Sequence, residues 1–465
     1  MNRVVIIGGG PGGYEAALVA AQLRGRVTVV DSDGIGGSAV LTDCVPSKTL
    51  IATAEVMTEL ATSHELGVDL RGDAGSDEAA ASVRVDLARI NARVLRLAAD
   101  QSHDIAERLQ GEGVRVVHGR GRLDGPSTVV ATLPDGSEER IEANAVLIAT
   151  GASPRTLPTA QPDGERILTW EQVYDLTELP SHLIVVGSGV TGAEFASAYL
   201  ALGIPVTLVS SRDRVLPGED ADAAGVLEDV LTRRGMQVLS RSRMESATRR
   251  GDTVTVRLTD GREVDGSHCI LALGSVPNTG DLGLETAGIR VNDSGFVRVD
   301  RVSRTSANNV YAAGDCTGVL MLASVAAMQG RIAMWHFMGD AVAPLDLGRV
   351  SSNVFTSPEI ATVGCSQQQV DGGEIDAGAV LLSLSGNPRA KMQGVHDGFV
   401  KLFCRRGTGI VVGGVVVGPR ASELIHPVSV AVAESLTADQ LAHAFTVYPS
   451  MSGSIAEAAR RLHRV

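Results

Sequence analysis

Apolar positions in this chain fall into short runs separated by glycine-rich turns. Residues 3–7 (RVVII) are apolar and β-branched, the pattern of a strand buried on both faces. Gly8, Gly10 and Gly13 follow in a G-x-G-x-x-G spacing that also takes in Pro11 and Gly12, and residues 14–23 (YEAALVAAQL) read as an alanine-rich helix. A second strand over 27–30 ends at Asp31. The same order recurs later. Residues 183–186 (LIVV) are a strand, and Gly187, Ser188, Gly189, Val190, Thr191 and Gly192 form the turn. A helix begins near Ala193, and 206–209 are the next strand. Residues 146–151 predict a strand running into a turn at Thr150 and Gly151, and 310–315 a strand ending in Asp315. Two such units on one chain predict an α/β protein with two Rossmann-like dinucleotide-binding domains.

The spacing carries a chemistry. The first glycine permits a tight bend, the second lets the backbone approach a pyrophosphate, and the third lets helix and strand pack closely. The helix N-terminus adds free N–H groups and the positive end of its dipole. Asp31 stands where an acid holds ribose hydroxyls. In the second unit the equivalent strand ends in Ser210, Ser211 and Arg212, with no acid. An acid there repels a 2′-phosphate, whereas hydroxyls and an arginine accept one. The second site is therefore expected to take NADPH, or to accept both NADPH and NADH. A plainer reading of Arg212, as a solvated surface side chain, stays open.

Composition narrows the class. At roughly 100–200 residues per domain, the 465 residues correspond to two to four domains, and 44% apolar residues supply ample core. The 53 glycines show no period, which excludes collagen-like repeats. Net charge is −13, aromatics are 3%, and Lys and Arg form no dense run, so no nucleic-acid partner is expected. Cys44, Cys269, Cys316, Cys365 and Cys404 lie far apart with no CxxC pair, which argues against a disulfide scaffold and a zinc ribbon; no metal is expected. No apolar run approaches the ~18 residues of a membrane span, and no signal-peptide pattern opens the chain. The expectation is a cytoplasmic protein without a transmembrane segment, with a surface loop over 71–82.

The chain resembles the flavoprotein disulfide reductases, the family of dihydrolipoamide dehydrogenase and glutathione reductase. The resemblance runs almost end to end. It rests on GGGPGG at Gly8, the GG…CVPSK segment from Gly36 to Lys48, ATG at Ala149, GSGVTGAE at Gly187, GSVPNT at Gly274 and YAAGD at Tyr311. VFTSPEIATVG from Val354, GFVKLF from Gly398 and YPSMSGSIAEAA from Tyr448 complete it. It implies FAD at the first unit, contacted by the Gly8–Gly13 turn, Asp31, Gly36, Gly37, Ser38, Lys48, Gly121, Thr150, Gly151, Asp315, Met321, Leu322, Ala323 and Ser324. It implies NAD(P)H at the second, contacted by residues 187–192, Glu194, Ser210, Arg212 and Gly274. It also implies a C-terminal α+β dimerisation domain that makes a homodimer. The domain limits expected by resemblance are 1–150 for FAD, 151–274 for NAD(P)H, 275–345 completing the FAD domain, and 346–465 for dimerisation.

Several positions depart from the family. Its redox disulfide needs G-G-x-C-x-x-x-x-C; here Ala39 stands at the outer cysteine and only Cys44 remains. One thiol cannot form the intramolecular disulfide that passes two electrons outward. The family's closing His and Glu are Tyr448 and Gly453. A tyrosine, with an ordinary pKa near 10, is a poor base at neutral pH but still donates a proton or hydrogen bond. His443, in a helix expected over 437–444, reads as a surface or packing residue. Ser324, Gln329 and Ser275 also replace the usual histidine, acid and arginine. By contrast, Lys48 and Glu194, the family's pair beside flavin and nicotinamide, are kept.

The expected catalytic residues are therefore Lys48, Glu194, Cys44 and Tyr448. Cys44 is open to three readings: a thiolate against the flavin, a sulfenic acid centre, or a residue with no redox role. The resemblance, less its dithiol relay, implies an NAD(P)H:quinone oxidoreductase in which flavin reduces a quinone directly by two-step kinetics. The alternatives are a soluble pyridine nucleotide transhydrogenase, a non-catalytic flavoprotein partner or sensor, and a Cys44 peroxidase.

Overall fold

The computed structural model describes residues 1–68 and 83–462; the loop expected over 71–82 lies outside them. The chain forms two compact units. The first comprises Met1–Thr49, Asn91–Arg155 and Gly274–Asp346, the second Leu50–Ile90, Thr156–Leu273 and Leu347–Val465.

The first unit is built on a five-stranded parallel sheet in the order Val310–Ala312, Ala145–Ile148, Arg3–Ile7, Arg26–Asp31, Arg115–His118. Its apolar runs are covered on both faces. Val5, Ile7, Val30, Val146 and Ile148 pack in one core with Leu123, Val129 and Ala131 of an antiparallel three-stranded sheet. Val4, Ile6, Val29 and Leu147 pack in the other with Ala16, Ala17 and Ala20 of the helix Pro11–Gln22. That helix starts three residues before the position its apolar pattern predicts. Pro11 sits in its first turn, where the missing N–H costs no hydrogen bond. A Cβ at Gly330 would lie 2.1 Å from Gly12 O, so the helix Ala323–Met338 crosses at backbone contact.

The second unit repeats the plan with parallel strands Gln237–Leu239, Val206–Val209, Leu183–Val186, His268–Leu271 and Ile167–Thr169. The helix after the glycine turn begins at Val190 rather than Ala193. The C-terminal part is α+β. Its antiparallel sheet runs Ser351–Val354, Glu359–Gly364, Val411–Gly418, Phe399–Arg405, Ala377–Ser383. Val400, Leu402 and Val416 of that sheet share a core with Val428, Ala431, Leu441 and Ile455 of the helices. Within this unit Lys401 is buried, and its Nζ reaches Asp220 Oδ2 and Asp222 Oδ2, each at 2.7 Å. Asp220 also caps the helix Ala221–Arg233. The expected helix over 437–444 is Ala438–His443, opened by a Thr437–Gln440 capping box.

Candidate active site

The glycines of the two turns divide by what the protein demands of them. Gly8 has φ +105°, and a Cβ there would lie 2.2 Å from Ala149 O; one at Gly13 would lie 1.9 Å from Gly8 O. In the second turn the distances are 2.1 Å from Gly187 to Ala272 O and 1.9 Å from Gly192 to Gly187 O. These four glycines are required by backbone packing. The middle glycines differ. A Cβ at Gly10 would meet its nearest atom only at 3.9 Å, and one at Gly189 would meet nothing within 4 Å. Each is the N-cap of its helix with no side-chain cap, so the first-turn N–H groups have no side-chain acceptor there. Open space beside a helix N-terminus fits the pyrophosphate of a dinucleotide, in both turns.

Around the first turn, the Asp31 carboxylate accepts N–H bonds from Gly9 (2.6 Å), Asp33 (3.0 Å) and Gly34 (2.6 Å). It therefore ties the turn to the loop after its own strand. That loop brings in Gly36, whose N–H donates to Gly9 O at 2.8 Å, and Gly37, whose Cβ would lie 2.8 Å from Gly10 Cα. Ser38 and Ala39 follow in the helix Gly37–Leu41. Cys44 is the first residue of the helix Cys44–Thr62 and is partly exposed. Lys48 is half-buried, with Nζ 3.3 Å from Ser47 Oγ.

The turn Thr150–Gly151 is held by Asn278, a residue not singled out from sequence. Thr150 Oγ1 donates to Asn278 O at 2.7 Å, Asn278 Nδ2 donates to Thr150 O at 3.0 Å, and Ser153 Oγ donates to Asn278 Oδ1 at 2.8 Å. Its place in the VPNT run was the available signal. Gly121 is buried, and a Cβ there would lie 2.9 Å from Ile7 Cγ2, so sheet packing accounts for this glycine. Asp315 follows Gly314 at the end of the edge strand. Burial, then the Asp43 charge, pushes its carboxyl up to about 6. Gln329, fully buried, accepts from Gly314 N–H at 2.8 Å and fixes that bend. Met321 and Ser324 are exposed; Leu322 and Ala323 are half-buried at the start of the next helix.

In the second unit Ser210 is completely buried, and its hydroxyl lies 2.7 Å from Ser188 Oγ, close to the carbonyls of Arg212 and Arg214. The hydroxyl expected to face a ribose phosphate is turned inward because the bend at 210–214 uses it. Arg212 is exposed. Gly274 has φ +83° with nothing near its missing Cβ. Glu194 is 4% exposed, and its Oε1 accepts from the Phe355 N–H at 2.8 Å. Ser197, one turn on, accepts from Ser357 N–H at 3.2 Å. Lys48 belongs to the first unit and Glu194 to the second.

The other cysteines are buried. Burial pushes the thiols of Cys316 and Cys365 up to about 11 and that of Cys269 up to about 12, and raises Cys404. Thiols held protonated make poor partners for Cys44. In the tail, Tyr448 is 83% exposed and Phe445 and Val447 are exposed beside it. Gly453 opens the last helix. His443 is on the surface, with Nδ1 2.7 Å from Asp439 O.

The chain matches the pyridine nucleotide-disulphide oxidoreductase family over residues 2–330 and that family's dimerisation domain over residues 350–459. It belongs to the pyridine nucleotide-disulphide oxidoreductases. Membership implies FAD and NAD(P)H, and makes the chain an oxidoreductase with a dimerisation domain at its C-terminal end. A member named NAD(P)H dehydrogenase (quinone), from Mycobacterium tuberculosis, is 56% identical over 99% of this chain and 94% of its own. The dihydrolipoyl dehydrogenase of Zymomonas mobilis is 32% identical over 98% and 96%. The crystal structure of LpdA from Mycobacterium tuberculosis, 55% identical, covers all of both chains with a TM-score of 0.94. The two dinucleotide units and the α+β tail are thus the family's fold. Among the described residues no helix is long and apolar enough to cross a membrane.

Proposed function

We propose that this member is an FAD-dependent NAD(P)H:quinone oxidoreductase, and that FAD and nicotinamide occupy the first and second glycine turns. Bound FAD would supply hydride acceptance from NAD(P)H and two-electron transfer to an acceptor. The observation that carries the choice of acceptor is Ala39 at the outer-cysteine position five residues before Cys44, with every other thiol buried and held protonated. No pair of thiols relays electrons outward, so the acceptor meets the flavin itself. A flat, apolar two-electron acceptor satisfies that requirement. The name of the 56% identical relative supports the same reading.

In this reading the Lys48 ammonium would stabilise negative charge as hydride arrives, and Glu194, anchored by the Phe355 N–H, belongs to the nicotinamide side. Tyr448 supplies a proton or a hydrogen bond to the quinone oxygen. Asp315 and Thr150 border the flavin. Cys44 opens its helix beside the site without a second thiol. Arg212 is the cation for a 2′-phosphate, which favours NADPH; Ser210 supports the bend behind it. Residues 1–150 and 275–345 form the FAD domain, 151–274 the nicotinamide domain and 346–465 the dimer interface. A second copy covers Phe445, Val447 and Tyr448. The protein works in the cytoplasm.

The test is steady-state NADPH oxidation by the FAD-loaded chain with benzoquinones, naphthoquinones, lipoamide and glutathione disulfide side by side. Turnover with quinones and none with disulfides is expected. Rapid disulfide turnover overturns the reading.

A further inference from the structure

The first unit contains an open cavity of about 560 Å³ whose wall includes Arg290, Arg298, Arg304, Asn308, Asn309 and His336. It lies away from the nucleotide end of the sheet. Asn309 immediately precedes the strand Val310–Ala312, while Gly314 and Asp315 follow that strand at its other end. Nucleotides in this class of sheet bind outside the carboxyl ends, so the cavity at the amino end is a separate place.

Its walls are built rather than frayed. Arg298 N–H donates to Arg290 O at 3.0 Å, and Arg290 N–H donates to Ser306 Oγ at 2.9 Å. Ser306 Oγ in turn donates to Gly288 O at 2.9 Å. Thr305 N–H donates to Val310 O at 3.0 Å, and Arg304 bridges to Tyr311. The Tyr311 hydroxyl lies 2.9 Å from His336 Nδ1.

The charges along its open rim do not cancel. Asp300 is committed: its carboxylate accepts from the N–H groups of Val302 and Arg304, each at 3.0 Å, and from Arg304 Nε at 2.8 Å. Among the described residues the guanidinium groups of Arg290 and Arg298 have no hydrogen-bond or ion-pair partner. A protein of net charge −13 thus holds two unpaired, solvent-exposed guanidiniums and two exposed side-chain amides along one open groove. Guanidinium forks match the oxygens of a phosphate group in geometry and charge.

We propose that this cavity binds a small phosphate-bearing anion through Arg290 and Arg298, at a site distinct from both dinucleotide turns. Free pyrophosphate and a phosphorylated metabolite share the chemistry that the cavity reads.

The experiment is calorimetric titration of pyrophosphate, and separately of fructose 1,6-bisphosphate, into the FAD-loaded full chain with NADP⁺ at saturation, so that both nucleotide turns are filled. Saturable binding that weakens with added KCl is expected. Tighter binding of pyrophosphate identifies the inorganic ion as the source, and tighter binding of the sugar phosphate a metabolite; either supports the site. Arg290→Ala/Arg298→Ala should lower the affinity about tenfold or more while keeping the flavin absorbance and melting point. If that variant does not fold, Arg298→Gln is read by the same titration and should bind more weakly. No binding overturns the proposal. So does unchanged affinity in a folded variant, or citrate binding as tightly as the phosphates.

Discussion

Glu194 Oε1 holds the Phe355 N–H at 2.8 Å, which ties the second turn of the helix Val190–Ala201 to the backbone that follows the strand Ser351–Val354. A buried carboxylate on the helix after the second glycine turn is therefore positioned by the dimerisation domain of its own chain. Ser197 and the Ser357 N–H repeat the tie one turn on. Glu194→Ala removes both the acceptor of the Phe355 N–H and the carboxylate proposed for the hydride-transfer step. Flavin reduction by NADPH, followed by stopped-flow absorbance, is expected to slow by about 10²-fold or more. Denaturant unfolding should show a loss of about 1–3 kcal/mol for the orphaned N–H.

Ala39 and Cys44 offer a gain-of-chemistry test. Ala39 lies in the helix Gly37–Leu41 and Cys44 begins the next helix, at the family's cysteine spacing. Ala39→Cys is expected to create an oxidisable pair, seen as the loss of two titratable thiols after mild oxidation. Lipoamide turnover should nevertheless stay at background, because Tyr448 and Gly453 stand where the family has its histidine and glutamate. Adding Tyr448→His and Gly453→Glu should raise it. Rapid lipoamide turnover by Ala39→Cys alone would contradict the role given to the tail.

Asp315 predicts a pH effect of definite sign. Its carboxyl is raised from 3.8 to about 6, chiefly by burial and then by Asp43. The folded chain holds this proton longer than the unfolded one, so this group costs nothing below 3.8, costs progressively more as pH rises towards 6, and costs fully above it. The FAD-free Asp315→Asn chain should melt a few degrees above the unsubstituted one near neutral pH, and the two should converge as pH falls towards about 4. A constant difference across that range would refute the assignment.

Lys401 is a stability prediction. Lys401 and Asp220 side chains are 3% and 5% exposed. Lys401→Met leaves the Asp220 carboxylate buried without its cation, at a cost of about 3–5 kcal/mol in urea unfolding. Adding Asp220→Asn should recover a substantial part, since the uncompensated charge goes with it. Asp222 is 59% exposed, and Asp222→Asn should cost under about 1 kcal/mol.

Sequence was informative wherever a local rule has one physical solution. The outer glycines of both turns were legible because only a residue without Cβ passes 1.9–2.2 Å from a carbonyl oxygen. The strands were legible because residues buried on both faces carry no polar alternation. Helix starts were less so: Val190 is polar-flanked and exposed, and a cap is set by backbone angles rather than by hydropathy. Ser210 was read as facing a ligand because its orientation depends on Ser188, 22 positions away. Asn278 and Gln329 were passed over as ligand-site supports for the same reason, since their partners at Thr150 and Gly314 are brought near only by the sheet. The Lys401–Asp220 pair, separated by 181 positions, left no local trace.

The middle glycines give the two nucleotide turns separate genetic handles. Gly13 or Gly192 cannot change without moving backbone, but Gly10 and Gly189 border space that the protein leaves free. An alanine at Gly189 projects into the open space of the second turn, and one at Gly10 into that of the first. On the proposed assignment of the donor to the second turn, donor binding can be retuned without moving backbone or disturbing the first turn.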